Sequence, residues 1–139
     1  MGSRLNPYLS FDGNAREAMD FYQGVFGGNL VSTTFAEGGM AQDPADAEKV
    51  MHAQLETERG FTLMASDTAT GMQWQPFGGI SISLSGDDEG ELRGYWDRLA
   101  DGGNVVMPLE KAPWGDSFGM LTDRFGVPWM VNISGGGQG

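Results

Sequence analysis

Phe21-Tyr22, Gly27-Gly28-Asn29-Leu30-Val31 and Leu55-Glu56-Thr57-Glu58-Arg59-Gly60 return later in the chain. Their counterparts are Tyr95-Trp96, Gly102-Gly103-Asn104-Val105-Val106 and Leu121-Thr122-Asp123-Arg124-Phe125-Gly126, and Met64 is answered by Met130. The offsets are about 74, 75 and 66 residues, so about nine extra residues belong to the first-half loop Ala36 to Glu48, the kind of connection that best tolerates insertion. The chain reads as a duplicated unit.

Periodicity around these repeats gives the elements. Leu5 to Phe11 alternates as a half-buried strand. Asn14 and Glu17 have capping-box spacing, and Ala18, Met19, Tyr22, Val25 and Phe26 recur on one helical face that ends at Gly27-Gly28. Strands are expected over Asn29 to Phe35, Lys49 to Glu58 and Phe61 to Ser66. The second half repeats this order: strand Gly79 to Leu84, helix Asp88 to Asp101, then strands Asn104 to Leu109, Ser117 to Thr122 and Val127 to Ile133. The fold predicted is α+β, two βαβββ modules forming a cupped mixed sheet. A single domain is expected over residues 1–134, with module one about 5–67 and module two about 79–134, and the Gly-rich tail 135–139 flexible.

Strand alternation then divides the residues between two faces. Leu9, Phe11, Leu63, Ala65, Ile80, Ile82, Leu84, Trp129, Val131 and Ile133 should meet the helices, joined by Met51, Ala53 and Leu55. Asn6, Tyr8, Ser10, Thr62, Met64, Gly79, Ser81, Ser83, Met130 and Asn132 should line the cup. His52, Gln54 and Glu56 join them from one strand, Phe118 and Met120 from another.

Composition narrows the function. Eight Lys and Arg against 19 Asp and Glu leave a net charge of −11, which repels phosphate backbones and anionic membranes, so nucleic acid and membrane partners are not expected. Cysteine is absent, which removes disulfides and thiolate chemistry and restricts any metal site to His, carboxylates or weaker ligands. No apolar stretch is long enough to span a bilayer and the N-terminus lacks a signal-peptide order, so a cytoplasmic location is expected. The carboxylate cluster Asp87-Asp88-Glu89-Gly90-Glu91 reads as the solvated cap of a helix, where its dipole favours anions.

Several longer motifs carry a resemblance. Asn6-Pro7-Tyr8-Leu9-Ser10-Phe11-Asp12-Gly13-Asn14, Glu17-Ala18, Val50-Met51-His52-Ala53, Leu63-Met64-Ala65-Ser66-Asp67, Phe118-Gly119-Met120 and Thr122 through Met130 together resemble PhnB-like proteins of the vicinal oxygen chelate (glyoxalase/bleomycin resistance/dioxygenase) superfamily. The likeness covers nearly the whole chain. It implies paired βαβββ modules and a homodimer. It also brings a demethylubiquinone methyltransferase label, for which the chain has no glycine-rich nucleotide loop after a strand.

Metal-dependent members of the superfamily place His, Gln or Glu ligands on the cup face of the first and last strands of each module. Here those places fall on Asn6, with one residue of uncertainty towards Pro7, and on Met64, Gly79 and Met130. Hard cations need oxygen and imidazole donors, and the chain has one His. No metal and no cofactor are therefore expected.

The candidate ligand-binding residues are Tyr8, His52, Gln54, Met64, Trp74, Trp114, Phe118, Met120 and Met130, with no catalytic residue assigned. His52 is either a base or an ordinary hydrogen-bonded pocket histidine. Met64 and Met130 are either a soft ligand wall or packing. Trp74 and Trp114, in polar loops containing Pro76 and Pro113, are ligand contacts, dimer contacts or loop anchors.

Three functions follow. One is sequestration of a hydrophobic or aromatic small molecule, as bleomycin-resistance proteins do in antibiotic resistance. Another is a divalent-metal lyase, isomerase or dioxygenase with a nonstandard site at His52 and Glu56. The last is an interaction protein whose own loops close the cup.

Overall fold

The apolar alternation of the first half is realised as a helix-covered sheet. The computed structural model describes residues 5–39, 43–74, 77 and 79–135. It divides into two units, Met1–Gln75 and Pro76–Gly139. The first contains β1 (Tyr8–Phe11), α1 (Ala15–Phe26), β2 (Asn29–Thr34), β3 (Val50–Glu56) and β4 (Thr62–Asp67); the second contains β5 (Ile82–Gly86), α2 (Glu89–Ala100), β6 (Asn104–Lys111), β7 (Ser117–Thr122) and β8 (Pro128–Ile133).

The sheets run β1-β4-β3-β2 and β5-β8-β7-β6. Only β1 with β4 and β5 with β8 are parallel, so both sheets are mixed. The predicted βαβββ unit is thus present twice, in one strand order.

In the first unit Ala15, Ala18, Met19, Tyr22 and Val25 of α1 pack with Phe11, Ala53, Leu55, Leu63 and Ala65 of the sheet, all buried. In the second, Leu92, Tyr95, Trp96 and Leu99 of α2 pack with Leu84, Leu121, Trp129, Val131 and Ile133. The repeated glycines have a steric cause. A Cβ on Gly28 would collide with the Glu56 carbonyl, and one on Gly103 with the Thr122 carbonyl, so each helix exit passes directly over the end of a strand.

Two buried aspartates fix the turns. Asp67 Oδ1 accepts the backbone N–H of Gly13 (3.0 Å) and of Ala15 (2.9 Å), and its Oδ2 accepts that of Val50 (2.9 Å). Asp123 accepts the N–H of Phe125 (2.8 Å), that of Val127 (3.1 Å) and the indole N–H of Trp129 (2.9 Å). The Asn14–Glu17 capping box is not made, since Asn14 forms no side-chain cap; the helix start is held instead by Asp67 on the N–H of Ala15. At α2, Asp88 caps as expected by accepting the Glu91 N–H (3.1 Å).

The second module's first strand differs from the prediction. It begins at Ile82, not Gly79, and continues to Gly86. Ile80 is 76% exposed instead of meeting α2. Its parallel partner β8 starts only at Pro128, and Val127 before it spends its N–H on Asp123. Strand pairing has nothing to extend onto.

The inserted loop of the first half is also organised. Asp46, in a 3-10 turn over Pro44–Asp46, accepts the Thr70 hydroxyl (2.7 Å) and its N–H (3.0 Å), and pairs with Lys49 (3.0 Å). Residues 40–42 of that loop and 136–139 of the tail lie outside the described residues. Gly135, the first residue of the tail, donates its N–H to Asp116 (2.8 Å).

Candidate functional site

Each sheet turns one face to its helix and carries the candidate residues on the other. In the first unit the strand register lines up Tyr8, Met64, Gln54 and Val31 across β1, β4, β3 and β2. Their neighbours in sequence, Leu9, Leu63, Ala65, Ala53 and Leu55, are the buried residues under α1. His52, two residues before Gln54, therefore shares this face, opposite Thr33.

The structure brings Tyr8 and His52 into contact. Tyr8 Oη lies 3.2 Å from His52 Nδ1, and the two ring centroids are 5.8 Å apart. Gln54 donates its amide N–H to the Glu56 carboxylate. Trp74 is placed differently from the strand residues: its indole N–H bonds the Ser10 carbonyl (2.9 Å). The Pro7 carbonyl accepts from Met64 of β4 and the Phe11 carbonyl from Thr68 just after it, so by alternation the Ser10 carbonyl points to the other side of β1, and Trp74 covers that edge.

In the second unit the register aligns Ser83, Met130, Met120 and Met107 across β5, β8, β7 and β6. The next row is Ser85, Asn132, Phe118 and Glu110. Met120, Met130 and Phe118 are half-buried, opposite the buried Leu121, Trp129 and Val131. Trp114, in the turn between β6 and β7, is 65% exposed, its ring centroid 6.2 Å from Phe118.

Met107 and Asp116 are absent from the candidates read from sequence. Met107 sits between two irregularities in the β6–β7 pairing, which break the alternation that would have assigned its face. Asp116 accepts the Asn132 amide (3.1 Å) and the Gly135 N–H. The Asn132 bond, then the Gly135 bond, hold its carboxyl below the usual aspartate range. The chain also turns through Ala112–Asp116 on backbone bonds, Gly115 N–H to Ala112 and Ala112 N–H to Asp116. Asp116 ties the Trp114 turn to the end of β8. An Asp following Gly in a Pro-containing turn was the available signal.

The residues at the metal positions that the resemblance implies do not fit a hard divalent ion. Met64 and Met130 offer thioethers, Gly79 offers no side-chain donor and Asn6 precedes β1. Among the described residues no group of three or more His, Asp or Glu side chains is placed to hold a metal.

The family described as 3-demethylubiquinone-9 3-methyltransferase matches residues 3–132. The chain is similar to protein PA1353 from Pseudomonas aeruginosa, with 43% identity, a TM-score of 0.81 and coverage of 96% of this chain and 99% of that one. It is similar to a putative 3-demethylubiquinone-9 3-methyltransferase, PhnB protein, from Bacillus cereus: 26% identity, TM-score 0.76, covering 95% of this chain and 100% of that one. In fold it matches a glyoxylase/bleomycin resistance protein/dioxygenase domain from Frankia sp. EAN1pec at 13% identity and a TM-score of 0.67, covering 99% of this chain and 96% of that one. The chain therefore belongs to this PhnB-like family, and it shares the fold of the glyoxylase/bleomycin resistance protein/dioxygenase domain.

Proposed function

We propose that the chain is a small-molecule-binding protein of glyoxalase/bleomycin-resistance type that sequesters a flat hydrophobic or aromatic ligand without a metal. The observation that carries this reading is the wall of the second unit. Met107, Met120 and Met130 stand side by side across three strands, next to Phe118 and the exposed indole of Trp114. Thioethers are polarizable and adapt their rotamers to an irregular partner, and they contact aromatic faces favourably. Apolar walls with a few polar groups are the common make-up of small-molecule sites.

The first unit's own face is the more polar of the two, with Tyr8, His52 and Gln54 sharing it with Met64. Methyl transfer, named in the family's description, gains no support from the strand-to-helix junctions Asp12-Gly13-Asn14 and Asp87-Asp88, which lack a glycine-rich nucleotide loop. A metal-dependent lyase, isomerase or dioxygenase is the competing reading, favoured by His52 and Glu56 projecting from one face of β3.

A homodimer, a cytoplasmic location and a role in resistance belong to the same proposal. Among the described residues no helix is long and apolar enough to cross a membrane.

Mass spectrometry of untagged protein under native conditions, with metal content measured on the same sample, tests the reading. Capture of aromatic compounds from a small-molecule library by protein carrying no stoichiometric metal supports it. A stoichiometric divalent ion lost in His52→Ala reverses it in favour of the metal enzyme. Sedimentation as a single 14.9 kDa species would remove the dimer.

A further inference from the structure

The polar groups on the first unit's face differ in what they have left to offer a ligand. Trp74 spends its indole N–H on the Ser10 carbonyl, and Gln54 directs an amide N–H to Glu56. Tyr8 Oη and His52 Nδ1 bond each other at 3.2 Å. Among the described residues His52 Nε2 has no such bond. The hydroxyls of Ser10, Ser66 and Thr33 rotate to suit any partner and select weakly, whereas the His52 ring is held in one orientation by Tyr8.

The Tyr8–His52 bond also has a preferred direction. A phenol O–H is a more acidic donor than the N–H of neutral imidazole, and an imidazole nitrogen is a better acceptor than a phenol oxygen. Tyr8 therefore donates to Nδ1, and the proton of the neutral ring resides on Nε2, since each neutral tautomer carries one N–H. We propose that Tyr8 is a positioning residue that sets His52 as an Nε2–H donor, and that the ligand of this face is a flat conjugated molecule presenting a neutral carbonyl oxygen to it. A carboxylate would accept the same bond but meets a chain of net charge −11, which repels anions. A hydroxyl would bring a second hydrogen needing its own acceptor.

This inference rests on the sequestration reading and narrows its ligand class. The single histidine of the chain makes ring nitrogen NMR free of overlap. In protein labelled with 15N-histidine, at a pH where the ring is neutral, Nδ1 should show the shift of an unprotonated acceptor and Nε2 that of a protonated nitrogen. Tyr8→Phe should move both towards the averaged values of mixed tautomers. The reverse assignment, Nδ1 protonated, overturns the inference without any ligand.

Binding is then compared for fluorene and 9-fluorenone, which differ in one carbonyl. The ketone should bind about three- to tenfold more tightly, as expected for one net hydrogen bond. His52→Phe, and independently His52→Ala, should bring the affinities for the two compounds together, and a preference for the ketone that survives in both variants overturns the inference. Equal affinities of the parent for both compounds overturn this inference alone. Failure of both compounds to bind overturns it together with the sequestration reading.

Discussion

Removing the Asp67 carboxylate should damage the protein more than any change on its surface, and the size of the effect follows from three hydrogen bonds. Asp67 is 5% exposed and accepts the N–H groups of Gly13, Ala15 and Val50. Gly13 lies at the surface, where water replaces the lost acceptor. Ala15 and Val50 are fully buried, so Asp67→Ala leaves two donors with no route to solvent. Each unsatisfied buried donor costs about 1–3 kcal/mol, giving about 2–6 kcal/mol in all. That is a large share of the roughly 5–15 kcal/mol that stabilises a typical domain.

The loss also reaches the candidate site, because Val50 begins the strand bearing His52 and Asp67 ends the strand bearing Met64. Urea denaturation of the parent and of Asp67→Ala, followed by circular dichroism, measures the difference. A destabilisation under about 1 kcal/mol with an unchanged denaturant slope would show that these three bonds do not hold α1 and β3 as described.

Trp114→Ala should weaken binding of an aromatic ligand by roughly five- to 150-fold, the equivalent of about 1–3 kcal/mol for a buried aromatic face, while leaving the melting temperature close to that of the parent. Calorimetric titration checks it, with Asp88→Asn on the α2 cap as the variant that binds unchanged; equal affinity in all three proteins would return Trp114 to a simple turn residue. Stability should also fall on the acid side. Asp46 is held below its ordinary value of 3.8 mainly by its bond to the Thr70 side chain, and Asp116 below 3.8 mainly by Asn132. Lowered carboxyl pKa values stabilise the fold fully above 3.8, and that contribution disappears as the pH falls through the lowered folded values. Urea midpoints between about pH 5 and 2 should fall less steeply in Asp46→Asn than in the parent, and parallel curves would contradict the role given to Asp46.

The duplication made the succession of helix and strands in each unit legible in the sequence, because Gly28 and Gly103, with Gly60 and Gly126, stand at corresponding turns of both units; the order of the strands within each sheet was not. The sheet faces were legible for the same reason: Tyr8, His52, Gln54 and Met64 alternate with residues that are buried under α1. What failed involved partners distant in sequence. Asn14 and Glu17 carry a sound local capping signal, yet the helix start is held by Asp67, 52 residues from Ala15. Ile80 alternates as a strand residue should, but pairing depends on where β8 begins. Trp74 was legible as an aromatic without a face of its own. Its bond to Ser10, 64 residues away, depends on β1 being an edge strand, which residue types alone do not reveal.

The central claim is that ligand is held on the sheet faces turned away from the helices, against methionine and aromatic side chains. The nine methionines provide a direct map of that claim through 13C-labelled methyl groups. Met64, Met120 and Met130 lie on those faces, whereas Met19 is buried in α1 at 1% exposure. Titration with fluorene should shift the methyl signal of at least one of Met64, Met120 and Met130 and leave Met19 in place. Saturating fluorene that moves none of the three, or moves Met19 alone, would contradict the account.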